Sequence, residues 1–168
     1  NAVKRSRYSA ERDKHFSAKN NQDLITFCSA TGLRRSELSA LHGNDIAYDK
    51  NGNIKIHVKN GKGGKERYVE IIGTPHEKQQ VVEMLKKADK GLVFPHVPSH
   101  FDEHYYRSVY ASQYYKNIAR KDIPKEEKYI CRKDKAGVIY DKVAMKVVSE
   151  NLGHNRIDII ANSYLWNI

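Results

Sequence analysis

The sequence predicts an α+β fold that is mainly helical and contains one small antiparallel sheet. Three observations support this prediction. The chain has 168 residues, enough for one domain with a buried core. Apolar residues recur at helical spacing over much of its length. Two short segments between residues 54 and 71 instead alternate apolar and polar side chains, as half-buried strands do.

The first helix is expected to begin near Asn20 and to end at Gly32, because glycine is a common helix stop. Its apolar face has four members with helical spacing, namely Leu24, Phe27, Cys28 and Thr31. A second, shorter helix is expected over residues 35–41. A turn at residues 49–52 then leads into the first strand, and a glycine-rich turn at residues 60–65 leads into the second.

Thr74 opens another helix with a capping-box pattern and a proline at the first helical position. The next helix is expected near Ser99. Its proposed core residues are Phe101, Tyr105 and Val109. Residues 122–141 are rich in charge and predict an inserted hairpin. A helix over residues 142–152 should end at Gly153, and a last helix should run from Asn155 to Tyr164.

The charge of the chain points to a polyanionic partner. There are 30 Lys and Arg against 20 Asp and Glu, a net charge of +10, and cations that neutralise phosphates add non-specific affinity. A basic surface that only maintains solubility is the alternative. Cys28 and Cys131 form no disulfide framework and no cysteine zinc site, and no apolar stretch has the length of a membrane span. We therefore expect a cytoplasmic protein.

Three clusters contain the candidate chemistry. Arg34 follows Gly32, and its guanidinium fork can hold two phosphate oxygens; the alternative is a surface arginine paired with Glu37. The glycine-rich turn places Lys62 where the backbone can approach a phosphate; the alternative is a solvated hairpin tip. This hairpin has one acid, Glu66, and six basic residues, namely Lys50, Lys55, Lys59, Lys62, Lys65 and Arg67.

The third cluster contains histidines. His96, His100 and His104 are four residues apart, but Pro98 argues against the one continuous helix that a metal site would need. The other interpretation pairs His104 with Arg107 on one helical face. Further along lie Leu152-Gly153-His154 and then Tyr164, although one tyrosine among 11 is by itself more often part of a core.

Taken in order, these segments resemble the tyrosine recombinase (phage integrase) family. The matching segments are TGLRRSEL, GKGGKER, HYYR and LGH followed by YL, and they extend from about Asn20 to Tyr164. The resemblance implies a catalytic domain that breaks and rejoins DNA without a cofactor or metal. We expect an integrase of a mobile element, similar to those of conjugative transposons.

The resemblance also implies residue roles. The catalytic set would be Arg34, Lys62, His104, Arg107, His154 and the nucleophile Tyr164, with Glu37 in support. Further DNA contacts are expected from Arg35, Lys59, Lys65 and Arg67, with Arg35 either structural or in contact with DNA. The implied partners are double-stranded DNA attachment sites, three further copies in a homotetramer, and an accessory DNA-bending or excision factor.

The sequence departs from the family pattern in three places. His154 and Tyr164 are ten residues apart, one more than is usual, so the assignment of Tyr164 requires a shifted turn. Residues 122–141 lengthen the interval before LGH, and they either contact DNA or a neighbouring protomer or form a solvated loop. Residues 1–18 are expected to be a basic linker from a missing core-binding domain, residues 19–168 the catalytic domain, and the C-terminal tail short or truncated.

Two other functions stay open at this level. A degenerate integrase would be a basic DNA-binding module without catalysis. A metal-dependent nuclease using the three histidines would lose its activity on chelation.

Overall fold

The computed structural model describes residues 16–165, so most of the predicted N-terminal linker lies outside the described residues. The helices are α1 (Gln22–Thr31), α2 (Arg35–Ala40), α3 (Pro75–Ala88), α4 (Glu103–Ile118), α5 (Lys142–Leu152) and α6 (Ile157–Ile159). The strands are β1 (Ile46–Tyr48), β2 (Ile54–Val58), β3 (Arg67–Glu70), β4 (Lys128–Ile130) and β5 (Ile139–Asp141). The predicted α+β class is confirmed. Within residues 16–165, no helix is both long and apolar enough to cross a membrane.

The predicted helix boundaries at Gly32, Thr74 and Gly153 are confirmed. Gly32 and Gly153 follow α1 and α5 with φ of 64° and 79°, the left-handed conformation that glycine adopts without strain. Thr74 accepts a hydrogen bond from the Glu77 amide at 3.2 Å, and Glu77 accepts one from the Thr74 amide at 3.1 Å. This reciprocal pair forms the expected capping box at the start of α3.

The main sheet has three strands in the order β1-β2-β3, all antiparallel. Ile56 lies opposite Ile46 on one side and Val69 on the other, and both Ile56 and Val69 are fully buried. The sequence prediction included β2 and β3 but not β1. With three residues, β1 is too short to show a period-two pattern.

Helix α4 is the central helix of the core. It begins at Glu103, and Asp102 caps it by accepting a hydrogen bond from the Tyr105 amide. The predicted start near Ser99 was therefore too early, and the predicted core position of Val109 is wrong, because Val109 is 37% exposed. The face one position further along, with Tyr106, Tyr110 and Ala111, is buried instead.

Residues 122–141 contain the predicted hairpin, with β4 and β5 joined through a 3₁₀ turn over Lys133–Lys135. Its base is fixed by Asp141, which accepts hydrogen bonds from Arg120 Nε and Nη2, both at 2.8 Å. The same carboxylate caps α5 by accepting from the Val143 amide at 3.0 Å. Donation from Arg120 holds the pKa of Asp141 well below its usual range despite burial.

The chain after α5 differs from the single helix predicted over residues 155–164. Helix α6 has one turn and continues directly into a π-helical turn over Ile160–Tyr164. A π-turn contains one residue more than an α-turn, and such turns are common at functional sites. The interval between His154 and Tyr164, one residue longer than expected for the family, therefore contains a turn that holds one residue more than an α-turn.

Candidate active site

A cleft of about 230 Å³ lies between the tip of the β2–β3 hairpin, the start of α2 and the turn after α5. It brings together residues that are distant in sequence. Its lining consists of Arg34, Gly61, Lys62, Lys65, Glu66, Arg67, Glu150, Gly153, His154 and Asn155. Three of the six predicted catalytic residues, Arg34, Lys62 and His154, therefore face the same space, and cations dominate its walls.

Glu37 organises the arginine side of the cleft. Its side chain is 2% exposed and accepts a hydrogen bond from the Arg34 amide at 2.9 Å. Its Oε1 also accepts from Arg67 Nη2 at 2.8 Å, while Arg67 Nη1 and Arg34 Nη1 contact Oε2. Burial raises the pKa of this carboxyl, but donation from Arg67 and Arg34 outweighs that effect and holds the pKa below its ordinary value. The predicted supporting position of Glu37 therefore has a geometric basis.

Arg67 was expected to contact DNA, and its surroundings favour another role. In addition to its two contacts with Glu37, its Nε donates to the Asn151 carbonyl at 2.9 Å, and its side chain is only 11% exposed. Three of its five N–H groups thus donate to protein acceptors, which favours a positioning role towards Glu37 and, through it, Arg34; the DNA contact given to Arg67 from sequence stays a prediction.

Removing Glu37 tests this network. Glu37→Ala leaves Arg34 and Arg67 close together without their shared anion, so we expect the free energy of unfolding to fall by about 3–5 kcal/mol. Denaturant titration at pH 7 measures the change. The double variant Glu37→Ala/Arg67→Met should recover part of the loss, because it no longer leaves Arg67 as an unpaired buried cation. If Glu37→Ala lowers the free energy of unfolding by less than about 1 kcal/mol, this network does not contribute to stability as proposed.

Gly153 allows the turn after α5 to approach the two arginines. A Cβ at this position would lie 3.0 Å from Arg34 Nη1 and 3.1 Å from Arg67 Nη1. With its positive φ as well, the glycine of LGH is required both for the backbone conformation and for close contact with the guanidinium groups.

Arg107 is buried and links two of the sequence motifs through hydrogen bonds to their backbone carbonyls. Its Nε donates to the Gly32 carbonyl at 2.8 Å, and its Nη2 donates to the Leu152 carbonyl at 2.6 Å. The residue is 4% exposed, and its guanidinium carbon lies 5.6 Å from the centre of the Tyr164 ring. The buried cation therefore faces Tyr164, the residue predicted from the sequence to be the nucleophile.

His154 and Tyr164 are in direct contact. The His154 Nε2 atom lies 3.2 Å from the Tyr164 hydroxyl, within hydrogen-bond range. Burial, together with the positive charges of Arg107, Arg34 and Lys62, lowers the pKa of His154 to about 4. At neutral pH the imidazole is therefore uncharged, and its Nε2 is able to accept the phenolic proton in a hydrogen bond.

A pH titration checks the state of His154. Its ring should protonate with a midpoint near pH 4. The chemical shift of the Cε1 proton, recorded by NMR across the pH range, measures this midpoint. Lys62→Met should raise that midpoint, because Lys62 is one of the cations that lower it, whereas Lys50→Met at the far end of the hairpin should not. A midpoint near the ordinary value of about 6.5 would contradict the cationic environment.

The same shift fixes the sign of a stability effect. Between pH ~6.5 and ~4 the unfolded chain binds a proton at this histidine and the folded chain does not. The His154 contribution to stability is therefore fully present above pH ~6.5 and is lost as the pH falls towards 4.

His104 lies against Tyr164 but uses its ring nitrogen elsewhere. Its ring centre is 4.7 Å from that of Tyr164, and its Nε2 is 3.1 Å from the Ser163 carbonyl. A carbonyl can only accept, so this nitrogen carries the proton. The contact holds the backbone next to Tyr164; the catalytic role given to His104 from sequence stays a prediction.

The remaining predicted DNA contacts differ in their surroundings. Arg35 is bound to the Phe101 carbonyl and to Glu103, which favours its structural role at the start of α4. Lys59 is exposed and pairs with Asp45 at 2.9 Å. Lys65 is exposed on the lining of the cleft. Of these, Lys65 is the best placed to contact DNA near the candidate site.

The three histidines with four-residue spacing do not share a helix. His104 lies on α4, whereas His96 and His100 lie exposed in the preceding loop. Among the residues that the structure describes, no group of three or more His, Cys, Asp or Glu side chains is arranged to hold a metal ion.

Sequence reasoning missed three residues that support the site. Asn151 holds Arg67 through its carbonyl and the Glu70 amide through its side chain at 2.8 Å. Lys135 and Tyr140 contact the segment that carries Tyr164. Asn151 is adjacent to the LGH motif, which is a weak signal, whereas nothing in the local sequence connects the two hairpin residues to Tyr164.

Comparison with known proteins adds independent information. No curated protein and no solved structure matches the chain. A family model described as "Phage integrase family" matches residues 6–167, nearly the whole sequence. The match includes the four motifs that the structure brings together around Glu37, Arg107 and Tyr164. On this evidence the chain belongs to the phage integrase family.

Proposed function

We propose that this chain is the catalytic domain of a site-specific DNA recombinase in which Tyr164 attacks the scissile phosphate. The observation that carries the proposal is the contact of the Tyr164 hydroxyl with neutral His154, next to Arg34, Arg107 and Lys62. A tyrosine hydroxyl adjacent to an imidazole and surrounded by cations is typical of a nucleophile that attacks a phosphodiester, and a tyrosine with a purely structural role would not need these neighbours.

The reaction begins with in-line attack of the Tyr164 oxygen on phosphorus. The bond from phosphorus to the 5′ oxygen breaks, and a 3′-phosphotyrosyl bond takes its place. His154 Nε2 aims the phenol by accepting its hydrogen bond and takes up its proton as the Tyr164 oxygen attacks, while the surrounding cations stabilise the negative charge that develops on that oxygen. Arg34 and Arg107 neutralise the negative charge that builds on the phosphoryl oxygens.

Lys62 completes the first half of the reaction. It is exposed in the turn at the hairpin tip, where Gly63 has a φ of 75° and the chain bends tightly. From there its ammonium protonates the departing 5′ oxygen as a general acid. In the reverse direction a 5′ hydroxyl attacks the phosphotyrosine, the uncharged Lys62 amine accepts its proton, and Tyr164 leaves with the proton that His154 returns. The energy of the phosphodiester bond is kept throughout, so rejoining needs no ATP.

The biological setting is part of the proposal. Membership implies a DNA substrate, and we infer that it is a double-stranded attachment site bound by four copies of the chain. An accessory DNA-bending or excision factor completes the assembly, and the protein acts in the cytoplasm on behalf of a mobile element. The net charge of +10 supports contact with a long stretch of phosphate backbone.

A trapping assay tests the proposal. The probe is a pool of duplexes with randomised sequence around a candidate cleavage position, and each duplex has a nick three nucleotides from that position. Cleavage releases the trinucleotide between the two breaks, which diffuses away, so the strand cannot be rejoined. With EDTA present, we expect a protein–DNA adduct that survives denaturation in SDS. DNA binding without an adduct would favour the non-catalytic module, and cleavage only when EDTA is omitted would favour the metal-dependent nuclease; either result overturns the proposal.

A further inference from the structure

The hairpin of residues 122–141 reaches the end of the chain segment that carries Tyr164, here called the tyrosine segment (residues 160–165). The Lys135 ammonium donates to the Ala161 carbonyl at 3.1 Å and also to the Leu165 carbonyl. The Tyr140 hydroxyl accepts from Lys135 at 2.7 Å and donates to the Leu165 carbonyl at 2.8 Å. Two hairpin side chains thus bind the Leu165 carbonyl just after the π-turn, and Lys135 also binds the Ala161 carbonyl within it.

These two side chains are themselves held in place. Tyr140 is 2% exposed, and its ring packs edge-on against Tyr115 of α4 with ring centres 5.4 Å apart. The Lys135 ammonium lies 5.0 Å from the centre of the Tyr140 ring. An ammonium that is partly withdrawn from water needs acceptors, and the carbonyls of the tyrosine segment supply them. The contact is therefore part of the packed structure rather than a chance surface pairing.

The tyrosine segment is also held by α4. His104 Nε2 contacts the Ser163 carbonyl at 3.1 Å, and the Ser112 hydroxyl donates to the Tyr164 carbonyl at 3.3 Å. The last carbonyls of a helix lack partners within the helix, and a cation near that end interacts favourably with the helix dipole. Together α4 and the hairpin bind the segment at the carbonyls of Ala161, Ser163, Tyr164 and Leu165.

We propose that Lys135 and Tyr140 are positioning residues for the nucleophile. By fixing the carbonyl end of the π-turn they hold the Tyr164 hydroxyl within reach of His154. This assigns the hairpin an intramolecular role in place of a DNA contact or a solvated loop. The inference rests on the proposed function, because a position matters only if Tyr164 attacks a phosphate.

The first test separates chemistry from binding. Lys135→Met should slow adduct formation at saturating DNA by about 10- to 100-fold, the usual cost of misplacing a reacting group. The dissociation constant for the nicked duplex and the melting temperature should stay near wild type. Lys135→Arg, which keeps the charge and the donors, should recover most of the rate, and Tyr140→Phe should show a smaller loss. Lys125→Met, an exposed lysine of the same hairpin, is the matched control.

The second test needs no DNA. Amide hydrogen exchange in residues 161–165 should be faster in Lys135→Met than in wild type or Lys125→Met, with exchange elsewhere unchanged. A wild-type adduct rate in Lys135→Met, or slower reaction caused only by weaker DNA binding, would overturn the inference. If the wild-type protein forms no adduct, the proposed function is wrong. Unchanged amide exchange in Lys135→Met would show separately that Lys135 does not hold the tyrosine segment.

Discussion

Tyr164→Phe is expected to abolish covalent attachment to DNA while leaving affinity for the duplex within about twofold of wild type. The substitution removes only the oxygen that would bond to phosphorus, and no other group of the site can replace it. The phenylalanine ring keeps the packing against His104 and Arg107. Gel-shift titration measures the affinity, and denaturing electrophoresis of nicked-duplex reactions measures the adduct.

Tyr114→Phe provides the matched control. Tyr114 lies on α4, partly buried, and its ring stacks on Tyr110 rather than facing the cleft. This variant should form the adduct at the wild-type rate. Persistence of the adduct in Tyr164→Phe would mean that another residue is the nucleophile, and the geometry around His154 would then have a different purpose.

Lys62→Met is expected to reduce the rate of cleavage by about 10²- to 10⁴-fold, the range typical of losing a general acid. Lys62 is exposed in the hairpin turn, so its loss should leave the fold intact. Single-turnover measurement of strand cleavage gives the rate. Lys65→Met, on the same turn and also lining the cleft, should stay within about threefold of wild type, because the proposal gives Lys65 only a backbone contact.

A change of leaving group tests the role of Lys62 directly. When sulfur replaces the bridging 5′ oxygen, the departing thiolate needs little protonation, because thiols ionise with a pKa of about 8.5. Lys62→Met should then cleave at nearly the wild-type rate, whereas Tyr164→Phe should stay inactive on the same substrate. If sulfur does not rescue Lys62→Met, the lysine has another role, such as binding the phosphate.

The sequence predicted well those features that are encoded locally. Glycine at positions 32 and 153 and the Thr74 capping box mark helix ends by their own backbone chemistry. The hairpin at residues 122–141 was also recognisable, because two apolar strands flank a charged turn. The order of the four motifs was sufficient to indicate the family that the family model then matched.

The features that escaped prediction depend on contacts between distant residues. The contact of Arg67 with Glu37 was not predicted, because the two residues are 30 positions apart in the sequence. Lys135 meets the Ala161 carbonyl 26 residues further along. The π-turn at Ile160–Tyr164 was not predicted. The sequence shows only that the interval before Tyr164 is one residue longer than usual, and this spacing does not reveal the local backbone conformation.

The charge distribution also has a clearer meaning in three dimensions. Part of the excess positive charge lies inside the site: Arg107 is buried and Arg67 is largely covered, and both donate to backbone carbonyls, so they add little charge to the outer surface. Lys62 and Lys65 at the tip of the β2–β3 hairpin are exposed and line the cleft. A site built in this way lowers the pKa of His154 while leaving Lys62 accessible.

Identification of the residue joined to DNA tests the central claim most directly. The wild-type adduct, formed on nicked duplex in the presence of EDTA, is digested with nuclease and protease and its peptides are sequenced by mass spectrometry. The proposed chemistry predicts a nucleotide remnant on Tyr164 alone, linked through a 3′ phosphate. A remnant on any other residue, or a 5′ linkage, would contradict it.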